Sequence, residues 1–128
     1  MLNPSKLPWA IIIAALLMMA GCDQGARSLR LDKPLAEASL TTALDGWKLG
    51  ELPTDLNKRS PPIIMTDVDW SGQMRLVNYE LVGEPTDDGT NLHRAVRLSV
   101  QDQHGQRTLR EVTYIIGTSP SITIFRSE

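Results

Sequence analysis

The sequence predicts an α+β domain, with one N-terminal amphipathic helix packed on a four-stranded antiparallel meander sheet. Three observations lead there. Past residue 30, apolar residues follow a sustained helical spacing over one stretch, residues 34–49. Beyond Pro61-Pro62 the period changes to alternation, the signature of half-buried strands. The alternating runs are separated by short segments rich in Asp, Gly and Pro, which favour consecutive antiparallel strands over long crossovers.

Each element has its own signal. In residues 34–49, Ala36, Leu40, Ala43, Leu44 and Trp47 fall on one helical face. Pro34 suits a first helical turn, where its missing N–H costs nothing. Glu37 near the start and Lys48 near the end suit the helix dipole, and Gly50 suits the C′ position. Residues 51–62 hold Pro53, Pro61 and Pro62 and should form a connector with one helical turn over 54–58. Residues 63–66 can form a short first strand, and DVDWSG (67–72) should be a turn. Residues 73–82 follow as a strand, with Val77, Tyr79 and Leu81 on one face, and residues 84–91 as a loop. Residues 92–101 give the clearest strand: Leu92, Val96, Leu98 and Val100 share a face, and only Arg94 breaks that row. DQHGQ (102–106) should be a hairpin loop, residues 107–116 a strand with Val112, Tyr114 and Ile116 on one side, and residues 121–126 the last strand.

Composition narrows the function. The 128 residues carry 13 Lys+Arg against 15 Asp+Glu, a net charge of −2. This supplies no phosphate-neutralising surface, so a nucleic-acid partner is not expected. A single Cys excludes a disulfide scaffold.

The N-terminus points to a location. Lys6 precedes AIIIAALLMMA (10–20), an apolar run that as a helix spans about 16 Å. A bilayer core of about 30 Å needs nearer 20 residues, so the run suits a secretory h-region better than a membrane span. Small residues and the one cysteine follow. Met19-Ala20-Gly21-Cys22 resembles the lipobox of bacterial lipoproteins, with Met19 where that family usually has Leu. The resemblance implies diacylglycerol addition to the Cys22 thiol, cleavage before Cys22, and a further acyl chain such as palmitate on the new amine. Two or more chains hold a protein stably on a bilayer. The expected organisation is a signal peptide over 1–21, a lipidated Cys and tether over 22–33, and one domain over 34–128. Asp23 resembles the signal that keeps lipoproteins of enteric bacteria in the inner membrane, which tilts the expected location from outer to inner membrane, facing away from the cytoplasm.

The order of helix then strands loosely resembles the cystatin-like and NTF2-like superfamily, in which a helix lies across a curved antiparallel sheet. That family usually has more helix before the sheet than residues 34–49 supply, so a small open roll is the primary expectation.

Candidate sites are few. Asp67, Asp69, Ser71 and Gly72 match half a calcium loop, but position 12 is Asn78 where a bidentate Glu belongs, so no metal is expected. His93, His104 and the Asp87-Asp88 pair read as surface and turn residues. No G-x-S-x-G, Ser-x-x-Lys or phosphate-binding Gly-rich loop occurs, so neither an enzyme nor a cofactor is expected. Trp70, in a turn, is a candidate contact for a partner or ligand. Arg94 is a second candidate, because an inward charge facing a cavity would mark a binding pocket. The expected role is a non-catalytic interaction or structural domain at the cell envelope, with the bilayer and an envelope protein as partners. The alternative is a small-ligand binding domain with a pocket between helix and sheet.

Overall fold

Asp32 opens the first element in a computed structural model that describes residues 30–127. The expected signal peptide, Cys22 and most of the tether lie outside the described residues. Asp32 Oδ1 accepts the Leu35 N–H at 3.1 Å and caps helix α1, Lys33–Lys48. The helix therefore begins one residue earlier than the apolar spacing predicts. It ends at Leu49, and Gly50 follows at φ +89°, a conformation that favours glycine. Ala36, Leu40, Ala43, Leu44 and Trp47 are all buried, as their shared face predicts. A 3₁₀ turn over Pro53–Lys58 follows, its first turn held by the Asp55 carboxylate accepting the Leu52 N–H at 2.8 Å.

The sheet corrects the expected topology. Strands β1 (Ile63–Thr66), β2 (Arg75–Asp87), β3 (Asn91–Gln101), β4 (Arg107–Gly117) and β5 (Ile122–Ser127) form one five-stranded sheet in the order β1-β5-β4-β3-β2. β2 to β5 make the antiparallel meander, but β1 adds a fifth strand parallel to β5. Alternation tells which face a strand buries, not which neighbour it pairs with. Ile63 and Met65 lie opposite Ile122 and Ile124, and that apolar match is made only in the folded chain. Because β1 and β2 occupy opposite edges, their connection must cross one end of the sheet.

That connection is a single helical turn, α2 (Val68–Ser71), rather than the expected plain turn. Asp67 Oδ1 accepts the N–H groups of Asp69 at 2.8 Å and Trp70 at 3.1 Å, which is N-cap geometry.

β2 departs from expectation twice. Its register against β3 shifts between Leu76 and Asn78, so Leu76 takes the buried place and Val77 is displaced from the expected row. A second shift lies between Val82 and Thr86, and the strand runs on through Pro85 to Asp87 where a loop was expected. An edge strand tolerates a proline there, because no neighbour needs its N–H. The true turn shrinks to residues 88–90. Leu31 joins the fold at this end: its N–H donates to Gly89 O, and Asp32 N–H donates to Thr118 Oγ1.

The core lies between α1 and the sheet face that carries Leu76, Leu92, Val96, Leu98, Val112, Ile116 and Ile124. Three polar side chains share one row of that face. Arg94 lies opposite Tyr114, and Tyr114 opposite Arg126.

Candidate functional site

At the crossing end of the sheet, Trp47 of α1 stacks on Trp70 of α2 with centroids 5.3 Å apart and planes 8° apart. Trp70, a candidate contact on the sequence, is only 5% exposed and offers a partner little of its surface. Its indole N–H donates to Glu51 O, and that of Trp47 to Met74 O, each at 2.9 Å. A large aromatic in a small domain contributes most to stability when its ring is covered and its N–H paired, and both conditions hold here. The pair floors an open groove of about 750 Å3 walled by Met65, Met74 and Leu52 and rimmed by Gln73, Gln101 and Gln103. Leu52, 62% exposed, offers the apolar contact that Trp70 does not.

A buried ionic cluster is built on the Asp residues that flank Val68 at the start of α2. Asp67 is 1% exposed; its Oδ2 accepts the Tyr114 hydroxyl at 2.5 Å and its Oδ1 faces Arg126 Nη1 at 3.3 Å. Asp69 Oδ2 accepts from Arg126 Nη1 at 2.6 Å, and its Oδ1 faces Arg110 Nη1 at 3.3 Å. Burial, and then the neighbouring Asp67 carboxylate, push the Tyr114 phenol well above its ordinary range. The carboxylates that resemble half a calcium loop thus meet guanidinium and phenol groups and do structural chemistry, tying the crossing turn to β4 and β5. Arg126 carries the same sequence signal as Arg94, a charge in step with Ile122 and Ile124, and sequence reasoning missed it.

The Asp87-Asp88 pair sits where β2 ends and the chain reverses, and Asp102 organises the next hairpin. Asp88 Oδ1 accepts from Asn91 N at 2.7 Å and Thr90 N at 2.9 Å, with His93 Nε2 3.3 Å from Oδ2. Those contacts, the Asn91 N–H first, hold the Asp88 carboxyl down at about 2. Asp87 pairs with Lys33 at 2.8 Å, and Asp102 accepts the N–H groups of His104 and Gln106. Among the described residues, no three His, Cys, Asp or Glu side chains converge.

Arg94 behaves differently. It sits on the helix-covered face and lines a cleft of about 430 Å3 between α1 and the sheet, within the range of small-molecule sites. The cleft walls are Leu40, Leu81 and Ala38, with the Thr41 and Thr42 hydroxyls and Glu37 alongside. Arg94 Nη1 donates to Gly83 O at 2.6 Å, at the second register shift of β2. Its Nε is the one buried side-chain polar atom without a hydrogen-bond partner among the described residues. The sequence flagged Arg94, but the Glu37, Thr41 and Leu81 surroundings needed the helix to be docked.

Cys22 lies outside the described residues. Comparison with known proteins finds no family model, no curated protein and no solved structure that matches this chain.

Proposed function

We propose that this protein is a lipoprotein of the bacterial envelope, held on a membrane through acylated Cys22, and that its folded domain binds a partner rather than catalysing a reaction. The observation that carries the reading is the apolar run ending in Met19-Ala20-Gly21-Cys22 with the chain's one cysteine last. The domain geometry supports the second half of it. The acidic residues that sequence reading considered for catalysis or metal are engaged by arginines, a tyrosine or turn N–H groups.

In this reading the tether joins the domain at one end of the sheet. The eight residues from Asp23 to Arg30 extend at most about 28 Å. They enter at Leu31, beside Gly89 and Thr118. The Trp-floored groove borders Gln101 to Gln103, at the other end of β3, an eleven-residue strand of about 36 Å. The groove lies at the end of the sheet opposite that entry point and is the surface we assign to an envelope protein.

Mass spectrometry of the mature N-terminus tests the anchor. The expected species begins at a diacylglyceryl Cys22, and Cys22→Ser leaves the precursor uncut. An intact Met1 or an unacylated Cys22 in the native protein overturns the reading.

A second reading, a small-ligand binding domain, is favoured by one observation: Arg94 faces the helix–sheet cleft with part of its guanidinium unpaired. The helix-then-sheet order, shared in outline with open rolls of the cystatin-like and NTF2-like kind, is compatible with such a pocket.

A further inference from the structure

The geometry points to the Arg94 cleft as a binding site for a single-chain amphiphile with a monoanionic carboxylate head. The inference rests on the small-ligand reading and names the ligand class. Among the described residues, Arg94 is the one cation lining this cleft. Its bond to Gly83 O occupies Nη1, which fixes the plane of the guanidinium. Nε has no partner, and Nη2 lies on the same side of the fork, the edge that pairs with a carboxylate. Holding the β2 irregularity requires only the Nη1 bond. The shielded Nε–H carries the cost of an unmade hydrogen bond until an acceptor approaches that edge.

The rest of the cleft selects the body of the ligand and limits its charge. Leu40, Leu81 and Ala38 make an apolar wall that suits an alkyl chain. Leu81 is 43% exposed, so a chain laid there removes apolar surface from water. Glu37 borders the same space and repels a second negative charge, which favours a carboxylate over a phosphate dianion. Position agrees with the chemistry. The cleft lies against the middle of α1, from Glu37 to Thr42, and against Arg94 in the first half of β3, the half of that strand nearer the Leu31 entry. On a lipidated protein the tether keeps the domain within reach of the bilayer, where single-chain amphiphiles concentrate.

The test uses the full-length lipidated protein in nanodiscs, labelled at Leu methyls and Arg side-chain nitrogens, with empty nanodiscs correcting for partitioning. The probes are sodium octanoate, octanol and octyl phosphate. Octanoate is expected to shift the Leu81 methyls and the Arg94 Nε–H saturably, and more tightly than either other probe. Arg94→Gln should weaken octanoate roughly ten- to a hundredfold, the value of a hydrogen bond to a charged group, and Arg94→Lys should weaken it less. Ala38→Trp, which fills the cleft and leaves Arg94 intact, should abolish the shifts, and it decides the matter if Arg94→Gln fails to fold. Equal affinity for octanoate and octanol, unchanged in Arg94→Gln, overturns the carboxylate assignment and leaves the small-ligand reading standing. Tighter binding of octyl phosphate overturns the charge assignment. No saturable shift with any probe overturns both.

Discussion

Trp47 concentrates much of the domain's stability in one side chain. It is 2% exposed, stacked on Trp70, and hydrogen-bonded to the Met74 carbonyl. Trp47→Ala should cost about 3–5 kcal/mol, through lost burial and the cavity left under Trp70. Urea denaturation of the chain from Asp23 onward measures it, and a change below about 0.5 kcal/mol would contradict the packing described, since a deeply buried aromatic costs more. Asp67 is the polar counterpart. It holds two backbone N–H groups, a buried phenol and a buried guanidinium at once. Calcium would have to displace Arg126 from both Asp67 and Asp69, and it would gain no bidentate carboxylate at Asn78. Calorimetric titration should therefore show no saturable heat near micromolar calcium. Such a heat, abolished by Asp67→Ala, would mean that the cluster opens to bind the ion.

At the scale of elements, caps and turns decide the boundaries that periodicity blurs. Asp32 sets the start of α1, Asp67 converts an expected turn into α2, and Asp88 draws the β2–β3 loop down to a tight reversal. Asp88 makes the last of these sensitive to pH. Its folded-state value of about 2 lies below the ordinary 3.8, so the folded chain holds this proton more weakly than the unfolded chain does. The stability it contributes is fully present above the ordinary value and is lost as pH falls from about 4 towards 2. Thermal melts across that window should fall more steeply for the native protein than for Asp88→Asn. The Asn side chain still accepts the turn N–H groups but does not titrate. Parallel slopes would show that the turn bonds do not depend on the carboxylate charge.

For the whole molecule, the decisive feature is that β1 and β2 lie at opposite edges of one sheet. The crossing segment then has to be fastened in place, and the Asp67–Arg126–Asp69 cluster and the Trp pair both do this. A buried ion pair is weak evidence for stability by itself, because desolvation offsets much of the attraction. Here it joins Asp67 and Asp69, at the start of α2, to Arg126 of β5. The same arrangement separates two surfaces. The Trp-floored groove lies at the crossing end, and the Arg94 cleft lies towards the end where Leu31 enters.

The local elements were legible in the sequence because their causes are local. A helical row from Ala36 to Trp47, the alternation of Leu92 to Val100 and the turn residues at 102–106 all act within a few residues of themselves. Arg94 was legible for the same reason, as a charge in an apolar row. Pairing was not. Whether β1 lies beside β2 or β5 depends on apolar matching between residues nearly sixty positions apart, Ile63 with Ile122 and Met65 with Ile124. The two register shifts in β2 follow from that sheet's geometry and moved Leu76 into the place alternation gives to Val77. Trp70 needed the tertiary structure most. A tryptophan beside Asp and Ser in a turn has no local reason to be buried. It is covered because the β1–β2 crossing carries it onto Trp47, where stacking and a carbonyl for its N–H outweigh the cost of leaving water.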